Sequence, residues 1–318
     1  MSFPVRRRER RKEIIAVKRP VVNRRGLTIC ARYGIIPLRS VCSERIIPYG
    51  GSMRIYTAED HSFVICAYKK SPYLEECIRS LLAQRCRGQI LIATSTPNAY
   101  IAGLAEKYEL PLFTHDGEPE IGRDWNFAYR CAKTPLVTIA HQDDIYAPAY
   151  VESALAALNR AKEPILYFNG YGELRDGTAV YGNRLLTVKR LMLFPLRFPV
   201  FWHSKFLRRR ILSLGCPICC PSVVYLKSVM GDEPFDTEHL GSLDWQQWEK
   251  LSRRTGSFVY DPTPLTFHRI HSGSATTEII RDNTRTHEDL DMFLKFWPRP
   301  VAKALCNLYA GSQKSNRI

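Results

Sequence analysis

The sequence predicts an α/β protein built on a mostly parallel central sheet flanked by helices. Three observations carry this reading. Short apolar runs rich in β-branched residues alternate with stretches of helical period, and from Ser62 onward the alternation keeps the spacing of βαβ units. No internal repeat or low-complexity segment interrupts it. At 318 residues, 45% hydrophobic and 24% charged, the chain suits one large or two smaller soluble domains.

The first strand is Ser62-Phe63-Val64-Ile65-Cys66-Ala67. The helix after it is expected to be capped by Ser71, with Pro72 at its first position. Its stripe of Leu74, Cys77, Ile78, Leu81 and Leu82 has the spacing of a helix packed on a sheet, and Gly88 is expected to end it. Residues 89–94 read as the second strand, 98–108 as the second helix and 111–113 as a short extended piece. A helix over 124–133 leads into Leu136-Val137-Thr138-Ile139-Ala140, a buried strand that ends on His141-Gln142-Asp143-Asp144. A helix over 148–160, a strand over 165–169, a helix over 243–254 and strands over 257–261 and 265–269 complete the pattern. The expected organisation is a basic disordered N-terminal extension (1–57), one folded domain (58–275) and a C-terminal helical segment (276–318).

The net charge of +15 is uneven. Residues 1–52 hold 13 Lys/Arg against Glu9, Glu13 and Glu44, a share of +10. This leader has no helical or alternating period and ends in Gly50-Gly51-Ser52 before Met53. It reads as a disordered basic tail or as translated upstream sequence. A nucleic-acid reading would rest on it alone, because the remainder lacks a basic stripe with stacking aromatics. No apolar run approaches the ~18 residues needed to span a bilayer, and no secretory signal is apparent. The ten cysteines are scattered, which points to reduced thiols and a cytoplasmic location.

Residues 184–214 differ in character. Eight basic residues (Arg184, Lys189, Arg190, Arg197, Lys205, Arg208, Arg209, Arg210) interleave with Leu, Phe and Trp202, and no acid is present. Two readings stand: a peripheral contact with a membrane surface, or a core-packed insertion with a solvated basic face. Pro195 and Pro199 break any single long helix there. Cys216-Pro217-Ile218-Cys219-Cys220 lacks the second ligand pair that zinc requires, so it reads as small buried residues lining the acceptor side.

Paired carboxylates at the carboxyl end of a buried strand are unusual. In an open α/β sheet that edge is where ligands bind. Asp143 and Asp144 repel each other unless a cation or proton intervenes, so a divalent metal is one explanation. A solvated turn leading to Pro148 is the other.

Read together, several segments resemble the family 2 glycosyltransferases of GT-A fold, over roughly residues 60–275. Ala67-Tyr68-Lys69 with Tyr73-Leu74 and Ser80-Leu81-Leu82-Ala83-Gln84 resembles the opening strand and helix, with Lys69 for the usual Asn. Asp124-Trp125-Asn126-Phe127-Ala128 is similar to the Arg-Asn helix, with Arg123 close by. Gln142-Asp143-Asp144 stands at the Asp-x-Asp position with Gln first. Leu243-Asp244-Trp245 with Trp248 resembles the Glu-Asp-Trp-x-x-Trp segment, and His268-Arg269-Ile270-His271-Ser272-Gly273-Ser274 the Arg-x-His-x-x-Ser loop. Thr94-Ser95-Thr96 replaces the acidic residue that ends the family's second strand.

The resemblance implies an inverting, metal-dependent transfer of a sugar from a nucleotide-diphosphate donor, UDP-sugar foremost. The implied acceptor is a glycan or lipid-linked molecule, as in bacterial surface polysaccharide synthesis at the inner face of the plasma membrane. Asp144 is expected to hold Mg²⁺ or Mn²⁺, and Asp244 to serve as catalytic base. Donor contacts are expected from Ala67, Tyr68, Thr94, Ser95, Arg123, Asn126, Gln142, Asp143, Arg269, His271 and Ser274. Nucleic acid is not an expected partner. The alternative is a nucleotide-sugar-binding module without turnover.

Overall fold

Strand β1 (His61–Ala67) is the spine of the sheet, with six of its seven residues buried. The computed structural model of the chain describes residues 55–238, 241–271 and 284–313. All belong to the unit Ser40–Ile318. The leader over 1–52 and Ser274 lie outside the described residues. β1 pairs in parallel with β2 (Gln89–Thr94) on one side and with β4 (Leu136–His141) on the other, and β3 (Leu112–Thr114) adds in parallel to β2. Parallel strands covered on both faces have no polar face, which is why these segments read as continuous apolar runs.

Helices α1 (Leu74–Leu82), α2 (Ala99–Lys107) and α3 (Ile121–Cys131) make the crossovers. α1 buries Leu74, Cys77, Ile78 and Leu81. It starts later than Ser71-Pro72 predict, because Ser71 forms a preceding turn in which its Oγ accepts the Tyr73 N–H at 3.3 Å. It also ends well before Gly88. That glycine serves another purpose: a Cβ there would lie 2.0 Å from the His61 carbonyl oxygen, so this loop closes on β1 only without a side chain. Asn98 caps α2 by accepting from the N–H groups of Tyr100 and Ile101.

The α/β sheet flanked by helices is as expected, and β3-β2-β1-β4 is a wholly parallel run within it. Beyond β4 the sheet is mixed, in the order β3-β2-β1-β4-β8-β6-β9-β5. β8 (Val223–Leu226) runs antiparallel to both β4 and β6 (Pro164–Arg175), whereas β6 and β9 (Ser257–Ile270) are parallel. β5 (Ile145–Tyr146) pairs antiparallel with β9, and β7 (Thr178–Val180) with β6. The two strands expected over 257–261 and 265–269 are one. Register shifts at Asn169/Gly170 and Gly170/Tyr171 let it run through Pro262 and Pro264. Gly170 permits this, since a Cβ would meet the Pro262 carbonyl oxygen at 2.5 Å. α4 (Tyr150–Leu158) packs against β6 and β9.

The basic segment folds as α5 (Arg184–Leu193), two 3₁₀ turns (Phe194–Arg197 and Pro199–Phe201) and α6 (Lys205–Leu212), broken at Pro195 and Pro199 as expected. A short α7 (Lys227–Met230) precedes α8 (Leu243–Ser252), and α9 (Thr284–Leu294) and α10 (Arg299–Gln313) follow. Trp297 ties the latter pair to α6 by donating to the Ser213 carbonyl at 2.7 Å. Among the described residues no helix is long and apolar enough to cross a membrane. Among the described residues seven cysteines form no disulfide, whereas Cys86 is disulfide-bonded, which departs from the expected reduced thiols.

Candidate active site

The carboxyl ends of β1, β2 and β4 open on one edge, and the order turns at β1, so the loops after β1 and β4 bound a crevice suited to a ligand. Gln142 ties these loops together. Its Oε1 accepts the Tyr68 N–H and its Nε2 donates to the Tyr68 carbonyl, both at 3.0 Å. Both amide atoms are thereby committed to backbone, so Gln142 shapes the edge rather than offering a donor contact. Tyr68 itself is exposed, and Ala67 is buried beneath it.

The two carboxylates that follow face opposite ways. Asp143 is partly exposed, and its Oδ2 lies 2.9 Å from Nε2 of His271. Burial opposes ionisation of Asp143. The His271 hydrogen bond and the imidazoles of His141 and His268 outweigh it and hold the carboxyl below its usual value. Asp144 has no exposed surface. Its Oδ1 accepts the Arg269 backbone N–H at 2.9 Å and lies 3.1 Å from His268 Nδ1. Burial disfavours a charged His268, but Asp144 outweighs it and raises the imidazole's pKa. Asp144 therefore braces the end of β9 against the end of β4. The expected metal role of Asp144 does not fit this burial.

Arg269 is committed in a similar way. Its Nε donates to the Asp143 carbonyl at 2.8 Å, its guanidinium pairs with Glu76, and it lies 4.3 Å over the Tyr73 ring. It fixes the Asp143 turn. His271 remains at the crevice, its ring 4.9 Å from that of Tyr73.

Asp244 lies in the first turn of α8. The helix N-cap is Ser242, so Asp244 is not the cap. Its Oδ1 accepts the Trp245 N–H at 2.7 Å, and Cys216 Sγ lies 3.6 Å from Oδ2. Its field reaches His141, whose pKa burial lowers although Asp144, Asp143 and Asp244 pull the other way. The His141 ring stacks 5.2 Å from that of Trp125, and its buried Nε2 has no hydrogen-bond partner. Cys216 and Cys220 are buried, and Cys219 is partly exposed.

On the β2 side, Thr94 is buried and accepts the Thr96 N–H at 3.0 Å, so its hydroxyl serves the turn. Ser95 donates to Oδ2 of Asp124 at 2.9 Å. Oδ1 of Asp124 has no partner, and burial raises the carboxyl's pKa despite the Ser95 hydrogen bond and His115. Asp124 thus restores a carboxylate beside the end of β2, where the sequence shows only hydroxyls. Two expected donor contacts point elsewhere. Arg123 is exposed and pairs with Glu120 at 2.7 Å. Asn126 is buried and exchanges both amide bonds with the Phe235 backbone at 2.8 and 2.9 Å. Sequence reasoning missed His141, His268 and Asp124; the position of His141 two residues before Asp143 was the signal for the first.

Residues 62–224, just over half the chain, match the family model described as Glycosyl transferase family 2. No curated protein matches. Among solved structures, S. aureus TarS 1–349 in complex with UDP-GlcNAc is 14% identical at a TM-score of 0.54, covering 80% of this chain and 72% of that one. The mannosyltransferase PcManGT from Pyrobaculum calidifontis, in complex with GDP-Man and Mn²⁺, is 12% identical at a TM-score of 0.53, covering 81% and 70%. At such identities these likenesses speak for the fold.

Proposed function

The chain belongs to glycosyl transferase family 2, and from that premise we propose that it transfers a sugar, with inversion, from a nucleotide-diphosphate donor to a glycan or lipid-linked acceptor. It is a glycosyltransferase of GT-A fold that uses a nucleotide sugar. The observation that carries the finer reading is the Asp143–His271 pair at the strand-end crevice, with the Asp244 carboxylate close enough for its charge to act on His141.

Asp143 and His271 fit a divalent ion, Mg²⁺ or Mn²⁺, one as carboxylate and one as imidazole. Among the described residues no group of three or more such side chains could hold a metal, so these two would hold the ion together with oxygens of a bound donor. When bound, the ion supplies charge neutralisation for the leaving diphosphate. Arg269, Asp144 and Gln142 position the two ligands from behind. Ser95 and Asp124 face the nucleoside, with UDP-sugar the first donor to test. As the acceptor oxygen attacks the anomeric carbon, the bond to the diphosphate breaks and Asp244 takes the acceptor's proton. One displacement inverts the centre.

We assign 58–275 to the catalytic domain. The reading favours bacterial surface polysaccharide synthesis at the inner face of the plasma membrane, with contact through residues 184–214. A thermal-shift screen of nucleotide sugars with Mn²⁺ identifies the donor, because a ligand that binds the native state raises its stability. Release of nucleoside diphosphate on addition of acceptor then tests turnover, and its absence with a bound donor would sink the proposal.

A further inference from the structure

We propose that the outer face of the segment from α5 to α6 docks on the headgroup region of an anionic lipid bilayer. The segment has two faces. Inward, Leu186, Leu193, Leu196 and Trp202 are buried. Outward, Leu191 is 72% exposed and Val200 80%, with Phe194, Phe198 and Phe201 nearly half exposed beside them. The Phe194 and Phe198 ring centroids are 5.8 Å apart, and those of Phe198 and Phe201 6.4 Å, so the rings form one strip. Single exposed apolar residues are ordinary, but a contiguous strip marks a contact surface.

Charge decides what covers it. No acidic residue occurs between Asp176 and Asp232. Arg184, Arg197, Lys205 and Arg210 are exposed, and none has a carboxylate partner among the described residues. Arg197 lies 5.9 Å over the Phe194 ring, and Arg210 5.8 Å over that of Phe206. A second copy on this face would bring like charges together, and the basic leader would be repelled in the same way. Nucleic acid would meet the cations and could stack on the half-exposed Phe rings, but the side chains that protrude furthest from the strip, Leu191 and Val200, are aliphatic and suit acyl chains rather than bases. Cations beside protruding apolar side chains match the boundary between anionic headgroups and acyl chains.

Helix α5 is tied to β6, the strand that pairs with β9 below the crevice. Lys189 of α5 donates to Tyr171 Oη at 2.9 Å, and its charge reaches His268 and Cys219. Docking this face sets the crevice beside the membrane surface, where a lipid-linked acceptor is met. In that part the inference deepens the function proposed above and rests on it.

The test sediments the full chain with phosphatidylcholine vesicles, with and without about 30% phosphatidylglycerol, at roughly 0.1 M and 0.5 M salt. A Leu191→Glu/Phe198→Glu double variant is compared, with Val200→Glu as a second variant if the first does not fold. Melting temperature, solution mass and nucleoside-diphosphate affinity are read on the same preparations. We expect binding that prefers anionic vesicles, weakens with salt and falls by about 10-fold or more in the variants, while melting and nucleotide affinity hold. Equal vesicle binding by wild type and variants, as the leader alone would give, overturns the proposal. So does binding without preference for anionic lipid, or a solution dimer that the variants dissolve. Absent nucleotide binding with vesicle binding intact would instead sink the donor site and leave the docking surface standing.

Discussion

Nε2 of His271 lies 2.9 Å from Oδ2 of Asp143, across 128 residues of sequence. Behind this contact Asp144 is wholly buried, so two adjacent carboxylates have different tasks. The pair sits in the turn between β4 and β5, where Asp144 faces the end of β9 through the Arg269 N–H and Asp143 faces His271.

The division predicts opposite phenotypes. Asp144→Ala leaves His268 and the Arg269 N–H without their shared acceptor in a site closed to water, and is expected to cost about 3 kcal/mol in denaturant unfolding. Asp143→Ala, whose side chain keeps some exposure, is expected to cost less, about 1–2 kcal/mol. A reversed order of stabilities would contradict the assignment.

Asp244→Asn keeps the shape of the side chain but removes the base. Donor affinity is expected to hold while turnover falls roughly 10²–10⁴-fold, the scale of a lost general base. Because Ser242, not Asp244, is the N-cap, melting should move little. Turnover within a few-fold of wild type would remove Asp244 from the mechanism.

Asp124 carries an unpaired oxygen beside Ser95. If it faces the nucleoside, Asp124→Ala weakens nucleoside-diphosphate binding by about 10-fold, or about 1.4 kcal/mol, and leaves inorganic diphosphate binding unchanged. Equal losses for both ligands would place Asp124 away from the nucleoside.

Much of this architecture was legible in the residues. The run Leu136 to Ala140 is buried on both faces as read, and Leu74, Cys77, Ile78 and Leu81 form the buried stripe of α1. The strand end at His141 and the loop at His268 to His271 do converge. The direction of β8 was not legible, because alternation of elements does not encode how a chain returns to a sheet. Nor were the partners of Gln142 and Asn126, since an amide that binds backbone 74 or 109 residues away looks the same in sequence as one that binds a ligand. The choice between Asp143 and Asp144 depended on which side of the turn β9 closes.

His61 predicts an acid limit to stability. It is buried, its Nε2 lies 2.9 Å from Thr138 Oγ1, and burial pushes its pKa down to about 3. Between that value and the ordinary 6.5, the unfolded chain binds a proton that the folded chain refuses. Stability therefore falls as pH drops through this window, with a slope of at most about 1.4 kcal/mol per pH unit from this group. His61→Leu should flatten that slope in melting curves taken across the window. An unchanged slope would remove His61 as a cause.

The most direct test of the central claim is titration of a nucleoside diphosphate into the full chain with Mn²⁺ and with chelator, for wild type, Asp143→Ala and Asp144→Ala. The account predicts binding that requires the ion in wild type and is lost in Asp143→Ala, whereas whatever fraction of Asp144→Ala remains folded keeps its ion dependence. Equal affinity with ion and with chelator in the wild-type protein, or ion-dependent binding that survives in Asp143→Ala, would contradict it.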